Sequence, residues 1–218
     1  MDYIKVDDLT KTIKGVTILE NINLNIKKNY IYGFVGANGS GKTMLFRILS
    51  GLVKPTFGHV TIDNKELYKD ISFPSNMGIL IESPGFWEQY TGYENLKILA
   101  SIRKVINDED IVNIMSRIGL DPQNKIKFGK YSLGMKQKLG IAQALMEKPD
   151  LIILDEPTNA LDDESVNNIR NILLEEKKRG ATILIASHNK EDISILSDYI
   201  YKINGGKIAE VRGDVSES

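Results

Sequence analysis

The chain has 218 residues, with 28 Lys and Arg against 29 Asp and Glu, a formal net charge of −1 and a pI near 6.2, so it offers no basic field for gripping a nucleic-acid backbone. That length allows one substantial core at the size where a domain begins to divide into lobes. With no cysteine, disulfides, thiolate metal sites and thiol catalysis are excluded and a reducing compartment fits; no apolar run approaches the roughly 18 residues of a membrane span, and Asp2 stands where a signal peptide carries positive charge.

From Tyr3 to Leu9 and from Val16 to Ile26, apolar and polar residues alternate roughly, which predicts antiparallel strands. Tyr30 to Val35 is a short apolar run that reads as a buried strand, and Met44 to Ser50 reads as an amphipathic helix stopped by Gly51. Between them Gly36, Ala37, Asn38, Gly39, Ser40, Gly41, Lys42 and Thr43 match the phosphate-loop pattern G-x-x-x-x-G-K-[ST] without a mismatch. Glycines let backbone N–H groups curl around phosphate oxygens, Lys42 adds a point charge at the β/γ-phosphates, and Thr43 offers a hydroxyl to Mg²⁺. A helix that begins at the loop turns its positive end toward the anion.

Pro55 to Gly58 reads as a turn, and His59 to Asp63 as a strand in which His59 is a surface residue. Met77 to Ile81 is a further buried strand, followed by a loop that opens on Glu82 and carries Phe86, Trp87 and Tyr90. These aromatics either pack a helical lobe or form a docking surface. Helical spacing then covers Tyr93 to Arg103 and Glu109 to Ile118, and a third helix starts at Ser132 as its N-cap and runs through Leu145 until Pro149. The core resumes at Leu151 to Leu154, four consecutive aliphatics that end in Asp155 and Glu156. A strand buried on both faces delivers the residues after it to the carboxyl edge of a sheet, where ligand groups belong. Val166 to Lys178 and Ile193 to Leu196 read as helices, Thr182 to Ser187 as a strand with His188 at its end, and Tyr199 to Val211 as a hairpin, with a loose tail from Gly213.

The phosphate loop, Tyr131-Ser132-Leu133-Gly134-Met135, the strand ending in Asp155-Glu156-Pro157, Asn159-Ala160-Leu161-Asp162 and the lone His188 stand in the order of an ABC-type ATPase, and the resemblance covers nearly the whole chain. The stretches Ile79 to Phe86 and Tyr131 to Gln137 resemble the ATP-binding subunits of bacitracin- and lantibiotic-type exporters. The resemblance implies an α/β P-loop NTPase fold of ABC type. Its mixed core sheet carries N-terminal antiparallel strands and an inserted helical subdomain, with residues 1–82 and 148–218 as the core lobe and 83–147 as the helical lobe of one domain. It further implies that Gly36 to Thr43 and Met44 hold ATP, that Thr43, Glu82 and Asp155 hold Mg²⁺, that Glu156 is the general base, and that His188 and Lys42 meet the γ-phosphate. Two copies would close head to tail on ATP binding. Ser132, Leu133, Gly134 and Met135 would then face the partner's nucleotide, and Asp162 would lie at the boundary.

Four residues depart from the family's commonest pattern: Glu82 where glutamine is usual, Tyr131 and Leu133 in the signature, and Ile13 where an aromatic usually stacks on adenine. The expectation is an ATP-hydrolysing subunit of an exporter of a peptide antibiotic, lantibiotic or similar compound. It would sit on the cytoplasmic face of the membrane through a separate permease, with no nucleic-acid partner. The competing readings are a soluble ABC-type ATPase acting on nucleic acid or ribosomes, which lacks the expected coiled coil, tandem domain or basic stretches, and a phosphotransferase using the same loop, which leaves Ser132 and His188 without a role.

Overall fold

The computed structural model describes residues 2–82 and 85–212; Ser83 and Pro84 of the glutamate loop, and the tail read as loose, lie outside the described residues. Strands β1 (Ile4–Ile13) and β2 (Val16–Ile26) pair antiparallel, and β1 also pairs with β4 (Phe57–Ile62), which pairs with the two-residue β5 (Lys65–Glu66). Together they form a sheet of their own, in the order β2-β1-β4-β5. The alternation in β1 and β2 is only rough for a physical reason. Inward residues Val6 and Leu9, and Leu19 and Ile22, are three apart, and the register shifts between them. Asp8 and Asn21, at φ +48° and +50°, take up the extra residue as bulges, which returns the next apolar side chain to the core face.

The second sheet has the order β10-β9-β3-β8-β7-β6. It contains β3 (Ile31–Val35), β6 (Met77–Leu80), β7 (Leu151–Asp155), β8 (Thr182–Ala186), β9 (Tyr199–Asn204) and β10 (Lys207–Arg212). All its pairings are parallel except the β9–β10 hairpin. Helix α1 (Lys42–Leu49) leads from β3 to β4 of the first sheet, α5 (Asp163–Arg179) and α6 (Lys190–Leu196) connect β7 to β8 and β8 to β9, and α2 (Gly92–Arg103), α3 (Asp108–Arg117) and α4 (Leu133–Leu145) lie between β6 and β7 in the chain.

Strand β7 shows why both faces of this sheet are covered. Leu151 and Ile153 belong to a core shared with α1 and the antiparallel sheet, whereas Ile152 and Leu154 belong to a second core with α2 to α6. All four are fully buried, each contributing on the order of 1.5–3 kcal/mol from removal of apolar surface. The same division runs through β8, where Leu184 and Ala186 face the first core and Ile183 and Ile185 the second. Because β3, β8, β7 and β6 are adjacent and parallel, their carboxyl ends share one edge. The phosphate loop, His188, Asp155 with Glu156, and Glu82 stand at those four ends in turn.

Helix boundaries differ from the sequence reading where a polar cap begins the helix earlier. Asp162 caps α5 by accepting the Ser165 N–H at 2.8 Å, so the helix starts at Asp163 instead of Val166. Asn189 accepts the Glu191 N–H at 2.9 Å, so α6 starts at Lys190 instead of Ile193. Ser132 caps α4 as its position predicts, accepting the Met135 N–H at 3.2 Å. Phe57 and Gly58, read as part of a turn, lie in β4. No helix among the described residues is long and apolar enough to cross a membrane.

Candidate active site

The phosphate loop leaves β3 and enters α1 through Gly41, whose φ of +113° is a backbone state that favours glycine. Lys42 and Thr43, read as loop, form the first turn of α1, and no side chain caps its N-terminus. Its first N–H groups and the helix dipole therefore face outward as an anion site. Lys42 is 6% exposed and its Nζ donates to the Gly36 carbonyl at 2.7 Å and the Ala37 carbonyl at 3.2 Å; among the described residues it has no ion pair. A buried ammonium bonded only to neutral carbonyls suits an anionic ligand. Ser40 Oγ is also buried, with no hydrogen-bond partner among the described residues.

Across the sheet edge, Thr43 Oγ1 donates to Asp155 Oδ2 at 2.6 Å, so two of the three groups predicted to share a metal are in contact. Burial pushes the Asp155 carboxyl above its usual range, and the negative charges of Glu156 and Glu82 add to this, while the Thr43 hydrogen bond and the Lys42 charge oppose it. A cation next to Asp155 relieves that cost. Among the described residues no three acids or histidines cluster closely enough to hold a metal alone. Mg²⁺ commonly takes only one or two protein groups beside substrate phosphates and water, so Thr43 and Asp155 fit it as a nucleotide-linked ion.

Glu82 joins the site from the end of β6, at φ +61°. It makes no hydrogen bond to Thr43 or Asp155 among the described residues; Arg47 Nη2 holds Glu82 Oε2 at 2.6 Å. Arg47 lies one turn beyond Thr43 on α1. With Ile18, Met44, Glu82 and the loop from Gly39 to Thr43, it lines a cavity of about 310 Å³. Ile13 does not line that cavity: it pairs with Val16 beside the β1–β2 turn and is 40% exposed.

Glu156 and His188 come together. His188 Nδ1 is 2.7 Å from Glu156 Oε2, and the His188 N–H reaches the same oxygen at 3.3 Å. Ser132 and Leu133 are exposed at the start of α4, and Leu133 has no positive φ, so its Cβ is tolerated. Gly134 faces the loop after Glu156, where an added Cβ would stand 2.9 Å from the Ala160 carbonyl. Asp162 is exposed, and its hydrogen bond to the Ser165 N–H holds its carboxyl below the usual range. Of the aromatics after Glu82, Phe86 packs edge-on against Phe128, whereas Trp87 and Tyr90 are 43% and 38% exposed. His59 is on the surface as expected, 3.2 Å from Asp7 Oδ2.

Three contributors escaped the sequence reading. Arg47 carries a signal, its spacing of four from Thr43 on one helix face. Gln137 on α4 donates to the Glu156 and Pro157 carbonyls at 2.8 and 3.1 Å. Thr158 hydrogen-bonds to Asp192. The last two bridge segments 19 and 34 residues apart, and no local pattern announces them.

A family model described as ABC transporter matches residues 19–159. The chain is 53% identical over 205 residues to the uncharacterized ABC transporter ATP-binding protein YybJ of Bacillus subtilis, covering 94% of each. It is 41% identical to the bacitracin transport ATP-binding protein BcrA of Bacillus licheniformis, over 95% of this chain and 68% of the relative. The lantibiotic transport ATP-binding protein SrtF of Streptococcus pyogenes is 37% identical, over 94% of this chain and 88% of the relative. Among solved structures, the dimeric bacterial ABC transporter cassette MJ0796 superposes with a TM-score of 0.85 at 26% identity, over 96% of this chain and 99% of that one. With the phosphate loop, the paired carboxylates and the histidine converging on one sheet edge, the chain belongs to the ABC transporter family, as an ATP-binding subunit homologous to bacitracin and lantibiotic transport ATPases.

Proposed function

We propose that the chain hydrolyses Mg²⁺-ATP at this edge to drive a separate membrane permease that exports a peptide antibiotic, lantibiotic or similar compound. The carrying observation is the 2.6 Å bond between Thr43 and Asp155, which joins the phosphate loop to a strand end whose next residue, Glu156, touches His188. In this reading Gly36 to Met44 bind the nucleotide, and Thr43 and Asp155 hold the metal with Glu82 nearby. The metal neutralises phosphate charge when bound. Lys42 faces the β/γ-phosphates, and Glu156 orients and deprotonates the attacking water with His188 against the γ-phosphate. Phosphoryl transfer asks mainly for positioning and charge neutralisation, which these groups supply.

The exposed α4 start supports a second half of the site. Ser132 to Met135 of one copy would meet the nucleotide of another, with Asp162 at the boundary, so ATP would close a homodimer. Exposed Trp87 and Tyr90 offer an apolar surface to the permease, which would hold the chain at the cytoplasmic face of the membrane. The cargo is inferred from the named substrates of the bacitracin and lantibiotic relatives. Phosphate release and size exclusion of Glu156→Gln beside wild type test the core of this reading. Loss of turnover with an ATP-dependent dimer is expected; a Glu156→Gln monomer that hydrolyses ATP at the wild-type rate would overturn both the base and the closed pair.

A further inference from the structure

The segment from Glu156 to Asp162 carries two residues with a Cβ at positive φ, Glu156 at +50° and Ala160 at +62°. Backbone in that region persists only where its surroundings hold it. Thr158, midway between them and 8% exposed, donates its hydroxyl to Asp192 Oδ2 at 2.5 Å. Asp192 is fully buried; its other oxygen accepts a hydrogen bond from Arg170 Nε of α5 at 2.8 Å and makes an ion-pair contact with Arg170 Nη2 at 2.6 Å. A buried carboxylate needs its oxygens engaged, and here one is committed to the loop and the other to α5.

Asp192 is the third residue of α6, the helix that comes after His188. On the opposite side, Gln137 of α4 holds the Glu156 and Pro157 carbonyls. The turn carrying the carboxylate is thus gripped between the helix begun by Ser132 and the helix beyond the histidine.

We propose that Thr158 and Asp192 are positioning residues for ATP hydrolysis: their hydrogen bond fixes the Glu156–Asp162 turn against α6, so that the Glu156 carboxylate and the His188 imidazole keep their mutual geometry. This rests on Glu156 being the base. Thr158→Val removes the hydroxyl at nearly constant volume and leaves the Asp192–Arg170 pair in place, which separates positioning from the packing of α5 on α6.

The test compares wild type, Thr158→Val and Thr158→Ser in the full chain, by steady-state turnover and by amide hydrogen exchange without nucleotide. Thr158→Val should lose about tenfold or more in kcat, since small misplacements of reacting groups are costly, with KM changed by less than about twofold because nucleotide binding lies elsewhere. Its amides from Asn159 to Asp162 should exchange faster, and Thr158→Ser should restore both readouts. Wild-type kcat and exchange in Thr158→Val would overturn the proposal, as would a Ser variant as impaired as Val. Glu156→Gln run in parallel isolates the underlying reading: wild-type turnover there removes Glu156 as the base, while the exchange data still decide whether Thr158 anchors the turn.

Discussion

His188 Nδ1 lies 2.7 Å from Glu156 Oε2, although the two residues leave different strands, β8 and β7. The contact fixes which ring nitrogen faces the carboxylate and leaves Nε2 directed elsewhere. His188→Ala should lower ATP turnover by about a hundredfold, the order for losing one positioned donor at a site of developing charge, while equilibrium ATP binding persists. Turnover near wild type in that variant would remove the histidine from the chemistry.

Glu82 is paired with Arg47 and makes no hydrogen bond to Thr43 or Asp155 among the described residues. Both side chains are substantially exposed, at 58% and 35%, so the ion pair contributes less than about 1 kcal/mol to stability. Glu82→Gln should therefore shift the thermal midpoint little and keep ATPase activity, because the amide oxygen can still face a metal. Loss of most turnover would show that the second negative charge is required.

Ile13, expected at the place of an adenine-stacking aromatic, lies by the hairpin turn, and the cavity at the phosphate loop is lined by the aliphatic Ile18 instead. Stacking contributes on the order of 1 kcal/mol that an aliphatic contact does not reproduce, so ATP and GTP turnover should fall within about tenfold of each other. Parallel kcat/KM measurements check this, and a strong preference for ATP would contradict it.

Asp162 caps α5, and its carboxyl is held below the ordinary range by the Ser165 N–H. A lowered folded-state value means that the contribution is present above the unfolded value and is lost as pH falls through the folded one. Asp162→Ala should lower Tm at neutral pH, and the gap to wild type should shrink in acid below the usual carboxylate range. A gap independent of pH would mean that charge plays no part in the cap.

The site was legible in the sequence where its parts are contiguous. Gly36 to Thr43 carry their own turn chemistry, and Leu151 to Glu156 announce a doubly buried strand with acids at its end. His188 was expected at the γ-phosphate, but its contact with Glu156 was not, because that contact depends on β8 lying between β3 and β7. Strand order is set by long-range packing, which periodicity does not encode. The bulges at Asp8 and Asn21 blurred the alternation of β1 and β2 because one extra residue reverses its phase. Gln137 and Thr158 were missed because a polar side chain on a helix or turn looks the same in sequence whether it meets water or a catalytic loop, whereas Arg47 could have been found from its spacing of four from Thr43.

Alternate residues of β7 belong to different cores, and the acids at its end continue that partition: Asp155 turns to Thr43 on the α1 side, and Glu156 reaches His188 and is held from α4. A slip of β7 by one position would put each aliphatic in the wrong core and would also take Asp155 away from Thr43. The forces that resist such a slip know nothing of phosphate, yet they set the aim of both carboxylates. Misalignment of the chemistry would therefore surface first as a folding defect, so chains that fold stably are already sorted for correct aim.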